Sequence, residues 1–89
     1  MRIRLREDVS LTETQDGSAV LLDERSGQYW QLNPSGLTIV RLGMDGVADR
    51  DIARRLLPEP SAEVTVDQVV ADIRELVGQL VAGELVIRS

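Results

Sequence analysis

The sequence predicts an α+β fold: a three-stranded antiparallel sheet followed by three helices. Short runs of alternating polar and apolar residues, separated by Gly-containing turns, occupy residues 2–32. Asn33-Pro34 then opens a stretch with helical spacing, in which apolar residues recur every three or four positions. Asp45-Gly46 and the segment before Thr65 divide that stretch into three helices.

Arg2 to Arg6 alternates, and Val9-Ser10-Leu11-Thr12 does so again, so the N-terminal region forms one or two short strands. Gln15-Asp16-Gly17 is a hairpin turn, because Gly takes the positive φ that such turns require. Ala19 to Asp23 is the next strand, Glu24-Arg25-Ser26-Gly27 closes a second hairpin, and Gln28 to Leu32 is the third strand. A meander is the simplest assembly.

Asn33 reads as the N-cap of the first helix, with Pro34 at its first position, where a missing N–H costs nothing. Leu37, Val40 and Met44 share one face, and Asp45-Gly46 ends the helix. Gly43 weakens it by up to about 1 kcal/mol relative to Ala. Asp49 is the expected N-cap of the second helix, with Ile52, Ala53, Leu56 and Leu57 as its buried stripe. Pro58 stops it, and Pro58-Glu59-Pro60-Ser61 is a stiff connector. Thr65-Val66-Asp67-Gln68 is a capping box for the third helix, flanked by a Val64–Val69 staple. Val66, Val69, Val70, Ile73, Leu76, Val77 and Leu80 fall within an arc of about 120–140°. Gly83 stops that helix, and Leu85-Val86-Ile87 forms a short strand or packs as a tail.

Eighty-nine residues suffice for one domain, here taken as 1–89, with a single core. Tyr29 and Trp30 are its only aromatic residues, so the core must be aliphatic. Cys and His are both absent, which removes thiolate chemistry, the commonest neutral-pH acid–base group and the commonest metal ligand. Glu7-Asp8 and Asp23-Glu24 sit at strand ends or in turns, where solvated charge is ordinary. No enzymatic role, metal or cofactor is expected. No apolar run approaches a membrane span and the start alternates, so the cytoplasm is the expected compartment.

Two helices joined by a short turn, Leu37 to Leu57, followed by a third, make the order winged helix-turn-helix-like. A nucleic-acid reader of that kind presents basic or amide side chains on its recognition helix. Here the third helix offers Asp67, Gln68, Asp72, Arg74, Glu75 and Gln79, and the chain carries a net charge of −5. Nucleic-acid binding or regulation is therefore the second reading. A phosphopantetheine carrier would need its Ser at a helix start, usually after Asp. Ser35 follows Asn-Pro instead, and the early strands do not suit an all-helical carrier.

Peptide capture fits better. An extended peptide can add to a free sheet edge, taking affinity from backbone hydrogen bonds and selectivity from neighbouring pockets. Trp30 and Leu32 share one face of the third strand, Tyr29 and Gln31 the other; alternation alone does not say which pair meets a ligand. The third helix would supply the facing wall, with Asp72 as an acidic flank beside Val69, Ile73 and Leu76. Read without a ligand, those three apolar residues are ordinary core.

The run Leu22-Asp23, Ser26-Gly27-Gln28-Tyr29-Trp30-Gln31-Leu32-Asn33-Pro34-Ser35-Gly36 resembles the signature of PqqD-like proteins, the recognition elements of ribosomally made, modified peptides. Asp45-Gly46, Asp51-Ile52-Ala53 and Asp72-Ile73-Arg74-Glu75-Leu76 continue the resemblance, which spans Val9 to Val86. Gly-Gln-Tyr-Trp-Gln-Leu-Asn-Pro is most similar to the stand-alone element of lasso-peptide pathways. The resemblance implies that the leader of a precursor peptide adds as a strand along Gln28, Tyr29, Trp30, Gln31 and Leu32. Val69, Asp72, Ile73 and Leu76 would then form the helix wall. It also implies two enzyme partners, a cysteine-protease-like leader peptidase and an ATP-dependent cyclase. Glu84, inserted between Gly83 and Leu85 where the family runs directly from Gly to Leu, leaves the register of the C-terminal tail open.

Overall fold

Alternating side chains fold residues 9–32 into an antiparallel meander in the computed structural model, which describes residues 1–57 and 64–88. Its strands are β2 (Val9–Glu13), β3 (Ala19–Asp23) and β4 (Tyr29–Leu32), in the order β2-β3-β4. Ala19 and Leu21 of β3 and Leu32 of β4 are buried on the inner face. In the first hairpin Thr14 N–H donates to Ser18 O (2.9 Å) and Gly17 N–H to Thr14 O (3.3 Å). In the second, Gly27 adopts φ 77° and donates to Asp23 O (2.8 Å), while Asp23 N–H donates to Gln28 O (2.9 Å).

The N-terminal alternation produces two strands, and the first stands outside the meander. β1 (Ile3–Leu5) pairs antiparallel with β5 (Val86–Arg88), with Ile3 opposite Arg88 and Leu5 opposite Val86. The tail is therefore a strand, and its partner lies at the other end of the chain. Ile3, 1% exposed, anchors this ribbon against α1 (Pro34–Met44). Gly43 makes that contact possible: a Cβ there would lie 3.0 Å from Ile3 Cγ1 and 3.1 Å from its Cδ1. The glycine that weakens the first helix locally is a packing requirement.

α1 begins as expected. Asn33 Oδ1 accepts from Gly36 N–H at 2.8 Å and Pro34 takes the first position. At its end Gly46, at φ 80°, donates to Gly43 O, and Val47 N–H donates to Leu42 O, a Schellman pairing. α2 (Asp49–Leu56) is capped one residue earlier than expected: Ala48 is the N-cap, with no side-chain hydrogen bond. Asp49 is drawn elsewhere, because its Oδ2 accepts from Arg74 Nε of α3 (Val66–Ala82) at 2.9 Å. Ile52 and Ala53 of the second stripe are buried, whereas Leu56 and Leu57 are half-buried. The expected Pro58–Ser61 connector lies outside the described residues. Both halves of the α3 capping box form, between Thr65 and Gln68.

Glu84 is absorbed by the end of α3. Gly83 is the C-cap at an ordinary φ of −79°, and Glu84 takes the left-handed position at φ 60°. Glu84 N–H donates to Val81 O (3.0 Å) and Leu85 N–H to Leu80 O (2.9 Å), so a second Schellman motif forms with Glu where α1 uses Gly46. Leu85 and Val86 then enter the core in register with β1.

Apart from Asp23, the buried side chains among the described residues are aliphatic and form two adjoining clusters. One joins the sheet to the helices through Leu21, Leu32, Val40 and Leu80. The other joins the helices to one another through Ile39, Ile52, Ile73 and Val77, and takes in Ile3. Among the described residues this is a three-stranded antiparallel sheet with three helices, as the sequence predicts, plus the terminal ribbon.

Two substitutions separate local propensity from packing. Glu84→Gly relieves a left-handed strain of about 1–2 kcal/mol, offset in part by unfolded-chain entropy, and is expected to raise the thermal midpoint by a few degrees. Gly43→Ala is expected to lower the midpoint despite a helix-propensity gain of about 1 kcal/mol, because buried Ile3 must move. Thermal unfolding monitored by circular dichroism checks both.

Candidate functional site: the β4 edge and its cleft

In an antiparallel pair, opposed residues alternate between those that exchange hydrogen bonds and those whose peptide groups point away. The Asp23 N–H to Gln28 O bond fixes the phase between β3 and β4. Trp30, opposite Leu21, and Leu32, opposite Ala19, therefore turn their peptide groups toward β3. Those of Tyr29, opposite Leu22, and Gln31, opposite Val20, turn toward the open side of β4. The edge offers an incoming strand two N–H and C=O sets, two residues apart.

Beside this edge lies a cleft of about 890 Å³. Trp30, Gln31 and Leu32 of β4 form one side, and Asp72 and Leu76 of α3 form another. Ser35, Gly36 and Ile39 of α1 contribute, as do Thr14, Asp16 and Ser18 of the β2–β3 turn. That turn reaches the cleft because Ala19 pairs with Leu32, which sets the hairpin tip beside the exit of β4. Gly36 is tightly fitted: a Cβ there would lie 3.1 Å from Asn33 Oδ1 and 3.4 Å from Leu32 Cδ2.

The charged side chains lining the cleft, among the described residues, are Asp16 and Asp72. Asp16 accepts from the Thr14 hydroxyl and from Ser18 N–H (3.1 Å), and these bonds hold its carboxyl below the usual range. Asp72 is exposed. The cleft thus has a mixed polar and apolar lining with two anionic positions.

The nine residues expected from the sequence do not all meet there. Trp30, Gln31, Leu32, Asp72 and Leu76 border the cleft. Gln28 precedes β4 and Tyr29 is 67% exposed; neither borders it, so the aromatic residue on the cleft side is Trp30. Ile73 is fully buried among the helices, and half-buried Val69 packs on the same cluster. On a helix, residues four apart line up. The Asp72–Leu76 row faces the cleft, and the Val69–Ile73 row is covered by the core. The β2–β3 turn and the start of α1 were not expected. For Ser35 and Gly36 the Asn33 cap was a usable signal; for the turn, only strand register places it.

Among the described residues no group of three or more His, Cys, Asp or Glu stands together to hold a metal. No described helix is long and apolar enough to cross a membrane.

Residues 18–86 match the family model described as Coenzyme PQQ synthesis protein D (PqqD). The chain belongs to the PqqD family. No curated protein matches it significantly. Two solved structures are similar to this PqqD-family chain over nearly its whole length. One is described as lasso peptide synthetase B1 complexed with the leader peptide, at 36% identity and a TM-score of 0.84, covering 99% of this chain and 100% of that one. The other is TbiB1 in complex with the TbiA(beta) leader peptide, at 26% identity and a TM-score of 0.77, covering 100% of this chain and 98% of that one. The family resemblance carried by the Gly27–Gly36 run is borne out.

The hairpin that aligns the β4 edge is held by Asp23, which is 5% exposed. Its carboxylate accepts from Arg25 Nε (3.3 Å) and Arg25 backbone N–H (3.0 Å). The Arg25 side-chain bond, foremost, keeps the Asp23 carboxyl below its ordinary value, against the opposing effect of burial. A carboxyl so lowered stabilises the fold above its unfolded value of 3.8 and ceases to do so as pH falls through the folded value. Urea midpoints are therefore expected to drop on acidification below that value. The drop should be shallower in Asp23→Asn, whose neutral-pH stability is already reduced.

Proposed function

We propose that this protein binds the leader region of a ribosomally synthesised precursor peptide of a lasso-peptide pathway, by strand addition to β4, and presents it to processing enzymes. The observation that carries this reading is the open β4 edge, with Tyr29 and Gln31 peptide groups directed outward beside a cleft that runs to α3. The two similar structures, both described as complexes with leader peptides, support it. Backbone pairing supplies affinity for an extended chain. Trp30 and Leu76 seat apolar leader side chains, and Asp72 pairs with a cationic or polar leader group.

The protein acts by holding rather than by reacting. Its cleft offers hydroxyls, amides and two carboxylates, with no Cys or His to serve as nucleophile or neutral-pH base. The enzymatic steps then fall to the partners: a cysteine-protease-like leader peptidase and an ATP-dependent cyclase, working with it in the cytoplasm. An acidic cleft gives no purchase to a nucleic-acid backbone.

Gln31→Pro tests strand addition directly. Because the Gln31 N–H faces away from β3, proline removes a donor from the open edge without removing a bond of the β3–β4 ladder. Fluorescence anisotropy of a labelled leader peptide is expected to show binding at least about tenfold weaker than for Gln31→Ala, with the far-ultraviolet dichroism of both variants retained. Equal affinities in the two folded variants would refute strand addition at β4. Leu76→Glu, verified as folded, is expected to abolish binding. Asp72→Asn is expected to weaken it about two- to fivefold and to flatten its salt dependence.

A further inference from the structure

The arginines of this protein fall into two groups. Arg25, Arg41, Arg50, Arg54 and Arg74 each lie against a carboxylate. Arg2, Arg4, Arg6, Arg55 and Arg88 make no ion pair among the described residues; the first three belong to β1 or its flanks, and Arg88 ends the paired β5. Residues 1–6 contain these three arginines and no carboxylate. The rest of the chain holds seven arginines against fifteen carboxylates, a net of −8. An anionic molecule therefore carries one concentrated cationic segment.

The ribbon gives that segment a direction. Ile3 points into the core, so Arg2 and Arg4 lie on the outer face of β1, with Arg6 continuing the alternation. Ile87, paired with Arg4, shares that face; it is half-buried and belongs to neither core cluster. Arg4, Leu5, Arg6, Glu7 and Ile87 border a depression of about 410 Å³, with exposed Glu7 as its one carboxylate. Neighbouring arginines on this face are spaced by about 7 Å, inside the Debye length of about 8 Å, so their fields reinforce one another. None of these residues borders the β4 cleft.

Charge and composition together specify the occupant. A short row of arginine around an apolar centre suits a protein interface, where Arg is enriched. Duplex nucleic acid or an anionic membrane would meet only three charges over about 13 Å and the repulsion of the remaining net −8. We propose that the outer face of the β1–β5 ribbon, centred on Arg4, Arg6 and Ile87, docks an acidic surface of a protein partner while the β4 cleft holds peptide. The identification of that partner with the leader peptidase rests on the functional reading above.

The test is a calorimetric titration of the peptidase into the full chain, compared with Arg4→Glu/Arg6→Glu and the milder Arg4→Gln/Arg6→Gln, alongside leader anisotropy for all three proteins. Expected are peptidase binding that weakens with salt, falls by tenfold or more on charge reversal and by less on neutralisation, and leader affinity unchanged throughout. Wild-type binding that neither double substitution alters would overturn the proposal, as would absence of peptidase binding. So would binding of duplex DNA or phosphatidylserine vesicles that the charge reversal abolishes while peptidase binding persists. The leader titration separates the two claims. With leader bound normally and the peptidase indifferent to Arg4 and Arg6, the docking surface alone falls; with no leader bound by the wild-type protein, both fall.

Discussion

The structure turns on the junction at Leu32-Asn33-Pro34. The chain leaves β4 at Leu32 and is helical by Pro34, with Asn33 Oδ1 capping Gly36 N–H. Pro34 has no N–H with which to extend the ladder, and α1 departs at once, so the chain cannot lay its next segment along β4. Leu32 is 3% exposed and packs in the cluster that holds Leu37 and Val40, which clamps the junction from inside. The consequence is an open strand edge with the start of a helix fixed at one end of it. Every feature of the candidate site is positioned relative to that corner.

An open edge is ordinarily a hazard, since any extended chain can pair with it. This one is four residues long and directs outward only the peptide groups of Tyr29 and Gln31. Each backbone hydrogen bond contributes a net of about 0.5–1.5 kcal/mol, too little for such a short edge to retain an arbitrary chain. Selection must come from the cleft, where Trp30 and Leu76 offer apolar surface and Asp16 and Asp72 set the charge. Edge and cleft thus divide the work: one accepts any backbone, the other reads side chains.

The two chain ends solve a separate problem. β1 and β5 pair with each other rather than with the meander, and the ribbon is anchored by Ile3 over Gly43 and by Val86 in the sheet-side core. The left-handed Glu84 sets the phase, sending Leu85 and Val86 inward and leaving Ile87 outward beside Arg4. An insertion that leaves the register of the tail open in the sequence is accommodated by one strained residue, and the outer face of the ribbon follows from it. Cleft and ribbon then present opposite charge on separate surfaces.

The local elements are legible in the sequence, because their signals are local. Alternation marked the strands, Asn33-Pro34 and Thr65…Gln68 marked two helix starts, and the absence of Cys and His removed thiolate and imidazole chemistry. It also carried the family, through the Gly27–Gly36 run. Long-range packing is what pairs β1 with β5, makes Ala48 rather than Asp49 the cap of α2, and brings Trp30 rather than Tyr29 to the cleft. The same holds for α3, whose Val69–Ile73 and Asp72–Leu76 rows lie side by side on one amphipathic arc. Periodicity records which residues are apolar. Which of them a neighbouring element covers depends on where α2 and β4 pack, and that is set by contacts between residues far apart in the chain.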